Sequence, residues 1–153
     1  MSGIIGGAGS KSGVIGQPEL DYKEGTHTVV HANTDGTTFG MHSSYQKLGY
    51  TKIGRIVHCQ GYIIIGSVTG TPAHTKFTLP FTCATGTPSL PFTGSQNCLT
   101  YEVDYDGAGV CLYIGQGQKF FQCISNRDNS SHAHAPARGG DEYAVSITYA
   151  TDE

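Results

Sequence analysis

The stretch Glu142-Tyr143-Ala144-Val145-Ser146-Ile147-Thr148-Tyr149-Ala150 decides the fold class. Large apolar side chains at 143, 145, 147 and 149 alternate with small or polar ones. Successive side chains of an extended chain point to opposite faces, so the pattern predicts a half-buried β-strand. Working outward from it, residues 54–65 put Val57, Cys59, Ile63 and Ile65 on one face, with Ile56, His58, Gln60, Tyr62 and Ile64 on the other. Both faces are partly apolar, which predicts a central strand of a sandwich or a strand whose second face meets another subunit. Further strands are expected at 28–32, 76–81 and 119–124. A hairpin is expected to join 98–105 to 110–114 through Asp106-Gly107-Ala108-Gly109, and a second turn to lie at Asn33-Thr34-Asp35-Gly36.

Composition agrees. The 153 residues include 22 glycines and only 14% charged residues, and no segment repeats apolar positions at the helical period. The expectation is an all-β protein, a β-sandwich of jelly-roll type with about eight strands. A domain at 21–153 is preceded by an extended glycine-rich arm at 1–20. In that arm Ser2-Gly3-Ile4-Ile5-Gly6 returns as Ser12-Gly13-Val14-Ile15-Gly16. Glycine at this density leaves the backbone loose, while Ile4, Ile5, Val14 and Ile15 offer apolar pairs to a partner, so the arm reads as a docking peptide.

The formal net charge of −3 argues against a nucleic-acid partner. The densest basic group, Lys47, Lys52 and Arg55, reads as a solvated strand edge. The longest apolar run, Tyr62-Ile63-Ile64-Ile65, is far too short to span a membrane as a helix, and the N-terminus has no secretory h-region, so synthesis in a cytoplasm is expected. Five cysteines, at 59, 83, 98, 111 and 123, are odd in number and lack C-x-x-C spacing. They read as reduced thiols in apolar strands.

Three segments carry a resemblance: Asp21-Tyr22-Lys23-Glu24-Gly25-Thr26-His27-Thr28, then Tyr50-Thr51-Lys52-Ile53-Gly54-Arg55-Ile56-Val57, then Leu79-Pro80-Phe81-Thr82. In this order they resemble a β-module of tail-fibre and minor virion proteins of tailed, marine-type bacteriophages, which reads E-G-T-W-T-P, then Y-x-K-I-G-x-x-V, then G-L-P-F-T. The leader from Ser2 to Gly16 is similar to the one that precedes this module. His27 stands where the family has tryptophan, Val29 where it has proline, and Thr78 where it has glycine. The resemblance implies a homotrimeric structural protein of the virion, a tail-fibre or capsid-decoration module attached through its N-terminus to other virion proteins.

His132 and His134, two apart on an extended chain, project to one side; in a trimer three such pairs could hold an axial iron or another transition metal, and otherwise no cofactor is expected. The polar loop Asn126, Arg127, Asp128 and Asn129 is the candidate for host surface glycans, which gives the alternative of a receptor-binding tip or carbohydrate-binding module for host attachment. None of the G-x-S-x-G, phosphate-loop or H-E-x-x-H motifs occurs, so no enzymatic activity is expected. Glu102 and Asp104 read as solvated carboxylates on the wet face of a strand.

Overall fold

The computed structural model describes residues 21–70, 74–86, 96–101, 109–125, 133–134 and 136–153, with the backbone alone at 96–101 and 133–134. Its elements are β1 (Tyr22–Thr28), β2 (Thr38–Ile53), β3 (Ile56–Thr69), β4 (Thr75–Thr78), β5 (Gln96–Tyr101), β6 (Val110–Tyr113), β7 (Phe120–Ser125), β8 (Ala133–His134) and β9 (Glu142–Ala150). They form two antiparallel sheets, and the described residues contain no helix. The all-β sandwich read from the sequence is therefore met. The larger sheet runs β1-β2-β3-β9-β5, and the smaller β4-β7-β6, with β8 also paired to β7.

The two stretches whose alternation was clearest form the middle of the larger sheet. In β9, Tyr143, Val145, Ile147 and Tyr149 are buried; in β3, Val57, Cys59, Ile63 and Ile65 are completely so. The register pairs Cys59 with Ile147 and Ile63 with Tyr143, which lays these side chains in one inward layer. Phe77 of β4 and Phe121 of β7 meet that layer from the smaller sheet. Phe77 lies 5.4 Å from both the Phe121 and the Tyr143 rings, so the sheets are joined by an aromatic centre. Each such side chain contributes roughly 1.5–3 kcal/mol by leaving water.

β2 and β3 are joined by Gly54-Arg55, and Gly54 adopts φ 56°, the left-handed turn conformation that glycine takes without strain. The bend read between these strands is thus present. So is the turn at Asn33 to Gly36, where Gly36 has φ 83° and the Asp35 carboxylate accepts the Thr37 backbone N–H at 3.1 Å.

Three expectations are corrected. The hairpin expected to join 98–105 to 110–114 is not seen among the described residues: β5 pairs with β9 in the larger sheet and β6 with β7 in the smaller. The strand at 28–32 is split. β1 ends at Thr28, and the chain then crosses to the smaller sheet, where His31 bridges Phe77 and Ala32 N–H donates to Lys76 O at 3.0 Å. Lys52 is not on a solvated edge: it is 1% exposed and its ammonium is paired with the Asp21 carboxylate. Its register position opposite Val57 is an inward one, and Asp21, just before β1, supplies the counter-charge that a buried ammonium requires.

Cys59, Cys83 and Cys123 are buried thiols, as their apolar neighbourhoods predicted. No helix among the described residues is long and apolar enough to cross a membrane.

Candidate functional site

The inward faces of the two sheets pack against each other, which leaves their outward faces to the surroundings, and the larger sheet's outward face carries a depression. The register orders that face into rows across the strands. Tyr22, Ile53, Ile56 and Ala150 form the row at the β2–β3 hairpin; Glu24, Thr51, His58 and Thr148 form the next; Thr26, Gly49, Gln60 and Ser146 follow; then Thr28, Lys47, Tyr62 and Ala144.

The first row is apolar and uncovered: Tyr22 is 52% exposed, Ile53 47% and Ile56 52%. The second and third rows enclose an open depression of about 440 Å³. Its lining includes Glu24, Thr26, Gly49, Thr51, His58 and Gln60. Gly49 makes the floor, because a Cβ placed there would meet nothing closer than the Gln60 carbonyl oxygen at 3.9 Å. Two of the lining groups are held from outside. His58 Nδ1 lies 3.0 Å from the Thr148 hydroxyl on β9, and the Tyr22 hydroxyl donates to the Glu24 carboxylate at 2.7 Å, which pushes the Tyr22 pKa above its ordinary value.

Beyond the fourth row the sheet carries a large bulge. Met41 pairs with Ile65 and Gln46 with Ile63, so His42, Ser43, Ser44 and Tyr45 stand opposite Ile64 alone. The extra residues protrude, and their rings cluster. Tyr45 meets Tyr62 edge-on at 5.8 Å and His42 at 5.1 Å, while the Tyr62 hydroxyl donates to the Glu142 carboxylate.

Ile4, Ile5, Val14 and Ile15 of the arm, the loop Asn126, Arg127, Asp128 and Asn129, and His132 all lie outside the described residues, as do Glu102 and Asp104. His134 is in β8, its backbone opposite Ile124. Among the described residues no three of the His, Cys, Asp and Glu side chains come together as metal ligands. The depression was missed because its parts are far apart in sequence. A signal existed in the segments 21–28 and 50–57, which turn out to be partners: Glu24 faces Thr51 and Gly25 faces Tyr50. The third segment joins them on the inward side. The Tyr50 ring lies where a Gly25 Cβ would be, 2.8 Å from its hydroxyl oxygen, and meets Phe81 edge-on at 5.2 Å. The shared motifs thus describe one packed corner around Tyr50, with the depression on its outer side.

No protein-family model matches the sequence, and no curated protein matches it either. The fold, in contrast, has a solved counterpart. It is shared with a phage tailspike. The crystal structure of the Dettilon tailspike protein superimposes with a TM-score of 0.64 over 84% of this chain, at 9% sequence identity. The chain spans about a quarter of that protein, 24% of its length. At this identity the likeness establishes the two-sheet fold.

Proposed function

We propose that this chain is a non-enzymatic structural module of a phage particle, a homotrimeric tail-fibre or capsid-decoration domain made in the host cytoplasm and held to other virion proteins by residues 1–20. The observation that carries the reading is the likeness to a tailspike over 84% of the chain, which agrees with the ordered virion-type motifs of the sequence. The uncovered apolar row of Tyr22, Ile53 and Ile56 supports self-association, since a second copy would remove it from water. A jelly-roll-type wrapping belongs to the same reading. It is supported by the alternation of the chain between sheets, with β3 and β5 in the larger and β4 and β6 in the smaller.

Light scattering of the dilute chain tests the assembly: a trimer is expected, and Ile56→Asp should shift it to monomer. A monomeric wild-type chain would overturn the trimer. Mass spectrometry of purified particles tests the location, and removal of residues 1–16 should abolish incorporation while leaving the domain folded.

A further inference from the structure

We infer that the depression floored by Gly49 is a binding site for a neutral sugar, holding one pyranose unit of a saccharide. Its volume of about 440 Å³ lies in the ordinary range of small-molecule sites, roughly 300–1,000 Å³. What selects the ligand is the lining. Thr26 and Thr51 bring hydroxyls that donate and accept, Gln60 an amide that does both from separate atoms, His58 a ring nitrogen, and Glu24 a carboxylate that only accepts. A ligand matching this mixture must offer several hydroxyls close together, each able to play either part.

Other ligand classes fit less well. No lysine or arginine lines the depression, and Glu24 repels anions, which disfavours phosphates and acidic sugars. A single carboxylate is a poor cation site. Tyr50 also lines it, but its ring is turned to the inward side against Phe81, and no aliphatic side chain is present to take an apolar ligand. The site is also pre-ordered: Thr148 holds the His58 ring and Tyr22 holds the Glu24 carboxylate, so less side-chain freedom is lost on binding. Along β3, Tyr62 follows Gln60 on the same face at about 7 Å, two residues of strand rise. Tyr45, 45% exposed, stands edge-on to it, a ring available to the C–H face of a neighbouring sugar unit.

The site does not depend on the particle reading, because it is tested on the isolated chain rather than on virions. Amide NMR spectra are recorded with the methyl glycosides of glucose, galactose, mannose and N-acetylglucosamine, and with glucuronate as the charged comparator. At least one neutral glycoside should shift the Thr26, Gly49 and Gln60 amides, with glucuronate much weaker. Gly49→Val fills open space and should weaken binding about tenfold or more with an unchanged melting temperature. Thr51→Val, equal in shape but without the hydroxyl, should weaken it about threefold to tenfold, the loss of one hydrogen bond. No shift with any neutral glycoside, equal shifts with glucuronate, or full binding by a folded Gly49→Val chain would each overturn the site.

Discussion

His27 of β1 and Thr78 of β4 share a hydrogen bond of 2.9 Å between the imidazole Nε2 and the hydroxyl, tying the edge of the larger sheet to the smaller one. The same hydroxyl oxygen accepts the Val30 N–H at 3.1 Å, just where the chain changes sheets. Burial holds the His27 pKa below its ordinary value, and the nearby Lys119 charge lowers it further. The unfolded chain therefore takes up this proton first. Stability should begin to fall as the pH drops through about 6.5, the ordinary histidine value, and fall until the lowered native pKa is passed. Urea unfolding from pH 7 to 5 should show a shallower decline for His27→Gln than for the natural chain, and identical slopes would refute this role.

Two glycines on adjoining strands should respond oppositely to alanine. At Gly61 a Cβ would stand 2.5 Å from the Lys47 carbonyl oxygen and 2.8 Å from Leu48 Cδ2. The backbone must shift, so Gly61→Ala should cost about 1–3 kcal/mol. At Gly49 the outward side is open, and Gly49→Ala should be neutral or stabilise by about 0.5–1 kcal/mol through reduced freedom of the unfolded chain. Thermal melts of the two variants decide the matter.

The C-terminal carboxylates hold the segment that follows Phe81. Glu153 accepts the Thr82 N–H at 2.7 Å and Asp152 the Thr85 N–H at 2.8 Å, while Asp152 also pairs with Arg55 at the β2–β3 turn. The Glu153 pKa is lowered chiefly by Thr82, and the Asp152 pKa chiefly by the Thr85 amide and then by Arg55. Their contribution is present above the ordinary carboxylate values of about 4 and is lost as the pH falls through the lowered ones. Hydrogen exchange should lose protection at the Thr85 amide in Asp152→Ala and at the Thr82 amide in Glu153→Ala, with β3 and β9 unaffected. Unchanged protection would show that these contacts do not hold the segment.

Cys59 should be chemically silent in the native state. Burial pushes its thiol up to about 12, only partly opposed by Tyr149, and its side chain has no access to water. A thiol-specific reagent at pH 8 should modify Cys59 only at the rate of opening, and proportionally faster as urea is added. Prompt modification of Cys59, located by peptide mapping, would contradict its place in the core.

The central strands β3 and β9 were legible in the sequence and their neighbour β2 was not, for a physical reason. Before the bulge the inward residues are odd-numbered, Phe39 and Met41; after it they are even-numbered, Leu48, Tyr50 and Lys52. The protruding His42 to Tyr45 reverses the phase, and a lysine occupies one inward position. Simple alternation therefore breaks down in the strand that brings Gly49 and Thr51 to the depression. β9 has no such interruption, and its buried residues are those the alternation named. The site itself was illegible for another reason. Glu24, Gly49, His58 and Thr148 meet only through strand register, and although the bend at Gly54 makes neighbours of β2 and β3, no local pattern places β1 and β9 beside them.

The pairing of Asp21 at the mouth of the domain has a mechanical consequence. Tension drawn through the residues upstream would reach Asp21 before it reached the β1 pairs with β2, which extend from Tyr22 opposite Ile53 to Thr28 opposite Lys47. Pulled lengthwise, these pairings share the load rather than opening one after another. Slack cannot build at the near end either, because Asp21 is fastened twice: its carboxylate to buried Lys52, and its carbonyl oxygen to the Gly54 N–H at 2.7 Å. The first strand is thus anchored at its very start, so a pull from upstream must break these two fastenings before it can open the pairs behind them.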